Sequence, residues 1–153
     1  MRPVLGRLFA LALVAFALTG CGAPLVKVGV SSTANLNSTD KGKPLPVVVR
    51  VYQLSASQAF QNATFHQLWK KDVVTLGATL VMRNEFVMNP AFQKRFTMPR
   101  NDQAKYIAAV AIFRDPKGHD WKTMAKLPSG YFGKRMSATV TIYLKGNKIA
   151  IQD

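Results

Sequence analysis

Cys21 is the residue of this chain whose type and neighbours together define a reaction. It is the sole cysteine among 153 residues, and it closes the run Leu18-Thr19-Gly20-Cys21. Small side chains at Thr19 and Gly20 let a peptidase reach the backbone just before it. An ionised thiol is a soft nucleophile, suited to forming a thioether with a diacylglycerol. A single thiol excludes an internal disulfide framework and a cysteine-rich zinc site. The other reactive side chains are scattered. His66 falls in a stretch of helical period and His119 in a Gly-His-Asp turn. Neither has the paired spacing of a metal site, so each reads as an ordinary solvated or partly packed imidazole. His119-Asp120 is too local to form part of a catalytic triad. No Gly-x-Ser-x-Gly, phosphate-binding or dinucleotide loop occurs. The 7 acidic residues are too sparse to suggest a carboxylate pair for glycoside hydrolysis. The sequence therefore predicts no enzyme, no cofactor and no metal.

The elements before Cys21 read as an address. Residues 1–7 carry Arg2 and Arg7 and no acid. Leu8 to Leu18 is one uncharged apolar run of 11 residues, where a membrane-crossing helix needs about 20. A basic start, a short apolar middle and small residues at the end describe a secretory signal over residues 1–20. The run ending at Cys21 resembles the lipobox of bacterial lipoproteins at every position. By that resemblance Cys21 carries two or three acyl chains, residues 21–25 form a lipidated tether, and Gly22 after the cysteine favours the outer membrane. One acyl chain alone holds only weakly. Of the 21 basic residues, removing Arg2 and Arg7 leaves 19 against 7 acids, a net +12. So basic a domain ordinarily suggests nucleic acid. A periplasmic address argues against that partner, leaving head groups, lipopolysaccharide, cell wall and acidic proteins.

Residues 26–153 read as one domain of strands with a helical insert. Val26, Val28 and Val30 alternate with Lys27 and Gly29, the period of a half-buried strand. Residues 32–44 are turn formers and polar groups, which predicts a long exposed loop. Pro46 to Leu54 is a β-branched run with Val47, Val49 and Val51 on one face and Arg50 opposite. Phe60, Thr64, Phe65, Leu68 and Trp69 then recur at helical spacing. The spacing predicts an amphipathic helix over 57–71, capped by Ser57, with its aromatic stripe packed on the sheet. Residues 79–88 predict one strand, with Arg83-Asn84-Glu85 as a candidate break, and Lys94–Met98 a shorter one ended by Pro99. Tyr106–Phe113 is apolar on both faces and predicts a central strand. Asp115 to Gly118 is a turn, Trp121 opens a short turn or helix, and Pro128 to Gly130 is another loop. Met136, Ala138, Val140, Ile142 and Leu144 share a face. Gly146-Asn147 then makes a tight hairpin returning through Ile149 and Ile151. Six to eight such strands argue a β-sandwich.

Four blocks then point to a family. They are Leu36-Asn37 followed by Gly42 to Leu54; Phe60 to Phe65 with Leu68, Trp69 and Asp72; the Asn89-Pro90 stop; and Tyr106 to Asp115 with Trp121 behind it. With the lipobox they make the chain resemble the outer-membrane lipoproteins of type VI secretion, the TssJ family. Ala91 departs from the pattern, since members often carry Gly after that proline, so the turn is expected to differ. The resemblance implies an all-β, transthyretin-like β-sandwich of two sheets with a small helical insertion, and no catalysis. It implies a partner, the periplasmic carboxyl-terminal domain of the inner-membrane protein TssM, tied by this chain to the outer membrane. It places the contact in the loop between the first two strands, at Asn35, Leu36, Asn37, Asp40, Lys41 and Lys43 as exposed residues. On residue types alone, Lys41 and Lys43 also suit simple solubility, and Arg114-Asp115 suits the end of a strand. The alternative is a basic periplasmic lipoprotein that binds peptidoglycan or lipopolysaccharide.

Overall fold

The computed structural model describes residues 23–152, and at 131 and 132 the backbone alone. The signal segment and Cys21 lie outside the described residues. The alternating valines form β1 (Leu25–Ser32), and Val26, Val28 and Val30 are all buried. The strand opens at Leu25, inside the expected tether, because Leu25 already pairs with Pro99.

The remaining strands are β2 (Val47–Leu54), β3 (Leu80–Met88), β4 (Gln93–Pro99), β5 (Tyr106–Ile112), β6 (Lys122–Lys126), β7 (Ala138–Lys145) and β8 (Lys148–Gln152). They make two four-stranded sheets, β4-β1-β7-β8 and β3-β2-β5-β6. Every pairing is antiparallel except β1 with β7, which run parallel from Val26 opposite Ala138 to Ser32 opposite Leu144. The inner faces supply Val26, Val28, Val30, Val140, Ile142 and Leu144 on one side. Val47, Val49, Val51, Ile107, Ala109 and Ala111 oppose them, all buried. This is the two-sheet sandwich the sequence predicts. β5 is central, between β2 and β6, and its alanines are buried on both faces.

Several local expectations change. The predicted helix over 57–71 is two helices, α1 (Gln58–Asn62) and α2 (Phe65–Leu76). Ala63 and Thr64 between them are extended. Ser57 makes no side-chain cap, whereas Thr64 and Gln67 form a reciprocal capping box, with the Gln67 amide nitrogen donating to Thr64 Oγ1 and the Thr64 N–H to Gln67 Oε1. A cap of that strength starts a new helix at Phe65 and ends the old one. Lys122 closes α1 from the sheet, since its Nζ donates to the carbonyls of Phe60, Gln61 and Ala63 at 3.1, 2.7 and 2.9 Å. Such a cation satisfies carbonyls that the short helix leaves without intrahelical donors.

β3 is unbroken through Arg83-Asn84-Glu85, and the irregularity lies between Gln53 and Leu54 of its partner. Trp121 does lie in a turn, at its end rather than its start, and leads directly into a strand, β6, that the residue pattern does not predict; a four-residue helix, α3 (Gly130–Gly133), follows it. Met136 does not join the inward face of β7. It precedes the strand and is 62% exposed.

Candidate functional site

The β1–β2 loop is the candidate contact, and its two halves behave differently. Asn35, Asp40, Lys41 and Lys43 are exposed, as expected. Leu36 and Asn37 are not: Leu36 is 0% exposed and Asn37 5%. The polar composition of 32–44 concealed a residue that fills the end of the core. Leu36 belongs to the same apolar cluster as the strand valines, and the Leu45 N–H donates to its carbonyl at 3.0 Å.

Asn37 is a rivet. Its Nδ2 donates to the Pro46 carbonyl at 3.0 Å, and its Oδ1 accepts the Arg114 N–H at 2.9 Å. Its own N–H donates to the Gly146 carbonyl at 3.0 Å. Its φ is +49, in the left-handed region that asparagine tolerates better than most residues. One residue thus ties the loop to the end of β5 through its side chain and to the β7–β8 hairpin through its backbone. Thr33 adds two bonds, donating from Oγ1 to Asn35 Oδ1 at 2.6 Å and accepting from the Gly146 N–H at 3.2 Å.

Beyond this base the chain closes a small turn. The Thr39 N–H donates to the Lys43 carbonyl, the Gly42 N–H to the Thr39 carbonyl, and the Lys43 N–H to Thr39 Oγ1. Asp40, Lys41 and Lys43 project from it. Arg114 pairs with Asp40 at 3.3 Å across solvent, so its guanidinium reaches the loop as well as ending β5. Such an exposed pair contributes little stability. The loop is a presented feature with a rigid root, not a slack connection.

The neighbouring turn after β3 carries Ala91, with φ +53. It keeps the left-handed conformation despite lacking glycine, and the Ala91 N–H donates to the Thr33 carbonyl at 3.2 Å. A Cβ in that region costs about 1 kcal/mol. Ala91→Gly is therefore expected to stabilise the fold by about 1 kcal/mol, read as a higher denaturation midpoint with an unchanged slope. A loss of stability would mean that the turn bears no strain.

A polar seam under α2 has no local signal in the residue pattern. Asp72, from the helix, accepts from the Tyr52 hydroxyl at 2.9 Å and from Arg83 Nε at 2.7 Å, and lies 3.4 Å from Arg50. Glu85 joins Arg50 and Arg83. Arg50 Nη1 also donates to the Leu68 and Trp69 carbonyls at 2.7 and 2.9 Å. These carbonyls precede Lys71, whose φ of −142 breaks the helical ladder. Burial pushes the Asp72 carboxyl up, but the Tyr52 hydroxyl and the two guanidinium groups outweigh it and hold it below the ordinary carboxylate range. Burial, with Asp72 adding to it, pushes the Tyr52 hydroxyl up, so it stays protonated and donates. Every member of the seam is occupied with another, which makes it a clamp between helix and sheet. His66 and His119 are both exposed and lie apart from it. Among the described residues, no three His, Cys, Asp or Glu side chains come together as a metal site.

A two-sheet sandwich that presents a firmly rooted loop beyond the end of β1, with no cluster of reactive side chains among the described residues, defines a binding module. The chain belongs to the type VI secretion lipoprotein family (T6SS-SciN; VasD, EvfM, TssJ), whose model matches residues 24–147. Its fold is similar to the T6SS lipoprotein TssJ1 from Pseudomonas aeruginosa, with 26% identity and a TM-score of 0.73 over 86% of this chain and 95% of that one. Serratia marcescens Lip, a membrane-bound component of the type VI secretion system, shares the fold at 18% identity, with a TM-score of 0.75 over 84% of this chain and 95% of that one. So does a chain in the structure of the T6SS protein TssM C-terminal domain from EAEC, at 22% identity, with a TM-score of 0.72 over 83% of this chain and 99% of that one. No curated protein matches.

Proposed function

We propose that this chain is the outer-membrane lipoprotein of a type VI secretion membrane complex and works by adhesion, without catalysis. Acyl chains on Cys21 hold it to the periplasmic face of the outer membrane. The β1–β2 loop holds the periplasmic carboxyl-terminal domain of TssM. The observation that carries this reading is the position of the loop. Its root is fixed by Leu36 and Asn37 at the end of β1 farthest from Leu25. Seven steps of about 3.3 Å along the eight-residue strand separate the two ends by about 23 Å, so the loop points away from the tether and toward a partner arriving from the inner membrane. The family assignment and the fold shared with the chain in the TssM-domain structure support the same partner.

The test is copurification of the full-length chain with the periplasmic part of TssM from the same cell. Association at micromolar concentration is expected. Asp40→Lys, Lys41→Glu and Lys43→Glu made together should weaken it at least about tenfold, while stability stays within about 0.5 kcal/mol of the parent, because all three side chains are exposed. Absence of association by the parent chain, or undiminished association by the triple variant, would overturn the loop assignment.

A further inference from the structure

The end of the sandwich where β1 begins carries a second feature that the loop does not explain. The Leu25 N–H donates to Ser137 Oγ at 3.1 Å, and the Arg100 N–H donates to the Pro24 carbonyl at 2.9 Å. The first strand is thus sewn to two segments, 100–105 and 128–137. Arg100 is 6% exposed, and its guanidinium donates to the carbonyls of Gly133 and Met136 at 2.8 Å each and to that of Pro128. Segment 128–137 is therefore a built part of this end. The Leu127 N–H donates to the Lys105 carbonyl at 2.9 Å and brings a further basic pair beside it.

What this end presents is one-sided. Lys105, Lys126, Lys134 and Arg135 are exposed there, with Met136 at 62%. Asp102 is its one acidic residue among those described. Lys105, Lys126 and Lys134 form no ion pair with a described residue. The opposite end is balanced differently. Each of its acids is matched, Asp40 by Arg114, Asp115 by Lys117 and Asp120 by Lys148.

We infer that this end is a collar that seats on the anionic phosphate head groups of the leaflet holding the acyl chains. The inference rests on the acylation of Cys21 proposed above. Three residues lie between Cys21 and Leu25, so four steps of at most about 3.6 Å put the Leu25 Cα within about 14 Å of the Cys21 Cα. The collar is fixed to Leu25, so the tether is short enough to let it settle onto the leaflet surface. Charges seated on an anionic surface feel its field, which decays over a screening length of about 8 Å at physiological salt. Each lysine raises occupancy of the surface about fivefold. Met136 adds an apolar group at the same margin. The anchor then does more than tether: with the collar it fixes the angle of the domain, and the β1–β2 loop is held pointing into the periplasm.

The experiment uses the acylated full-length chain in vesicles of phosphatidylethanolamine and phosphatidylglycerol. Acylation blocks the only native thiol, so Met136→Cys and Lys41→Cys each give one labelling site. A fluorophore at position 136 should be quenched by spin-labelled head groups, and one at position 41 should not. Lys126→Gln with Lys134→Gln should lower that quenching by an order of magnitude or more in these vesicles. Vesicles of phosphatidylcholine alone should give little quenching at either site. Should the protein float with vesicles while position 136 stays as aqueous as position 41, the collar is wrong and the anchor stands. Equal quenching in phosphatidylcholine would overturn the role of anionic head groups. Failure of the protein to float at all would remove the anchor, and the collar with it.

Discussion

Arg50→Met is expected to lower the melting temperature by about 10 °C. The arginine does three things at once. It donates to the Leu68 and Trp69 carbonyls, just ahead of the break in the helix at Lys71. It pairs with Glu85 at 2.5 Å, and it faces Asp72 at 3.4 Å. Methionine keeps much of the stem and none of the donors. The substitution removes the side-chain donor of both carbonyls, the Leu68 one partly buried, and leaves Asp72 with one cation fewer. Removing one partner of such a cluster costs about 3 kcal/mol, and a domain of this size loses a few degrees per kcal/mol. The pH dependence identifies the group responsible. Asp72 has a lower proton affinity in the folded chain than in the unfolded one. Its contribution is present above the unfolded value of about 3.9 and is lost as pH falls below it toward the folded value. Asp72→Asn should lower stability at neutral pH and flatten the acid limb below about pH 4. An Arg50→Met protein within about 0.5 kcal/mol of the parent would show that the seam is dispensable.

Leu36→Ala is expected to cost about 3 kcal/mol, the usual range for a fully buried leucine. For a residue in a polar loop this is a sharp prediction, since a solvated connection tolerates such a change within about 0.5 kcal/mol. The effect extends to binding. Leu36 and Asn37 form the root of the loop, and the turn from Thr39 to Lys43 stands on it. Under conditions where the variant remains folded, its affinity for the periplasmic part of TssM should fall at least about tenfold. Lys41→Ala should leave stability unchanged. A Leu36→Ala chain as stable as the parent, measured by chemical denaturation, would mean that the loop is not rooted in the core.

The parts of the molecule legible in the sequence are those in which one short-range signal dominates. Val26-Val28-Val30, Val47-Val49-Val51 and Ala138-Val140-Ile142-Leu144 read as strands because alternation survives any choice of partner. Tyr106–Ile112 read as central because both of its faces are apolar. The less legible parts are those fixed by distant neighbours. Leu36 sits among turn formers, and only the closure of the β1–β2 corner over it makes it core. β6, Lys-Thr-Met-Ala-Lys, carries lysines at both ends and no alternation, so edge pairing with β5 alone gives it away. The aromatic period through 60–69 runs across the break at Ala63-Thr64, although the Thr64-Gln67 box stood in the sequence as a start signal. Of the six loop residues singled out, four are exposed and two form the root. Their grouping was readable, while the division of labour between them needed the bonds of Asn37. Nothing local announced that Asp72, Arg83 and Glu85 would meet Arg50.

The parallel pairing of β1 with β7 has a consequence under tension. A pull on Pro24 from one side and on the β1–β2 loop from the other runs along the axis of a single strand. That strand is flanked by seven register pairs with β4 and seven with β7. Load along the strand shears both ladders together, so the bonds must fail in concert instead of peeling one by one. With the anchor and loop contact proposed above, the strand between them is held on both edges against unzipping.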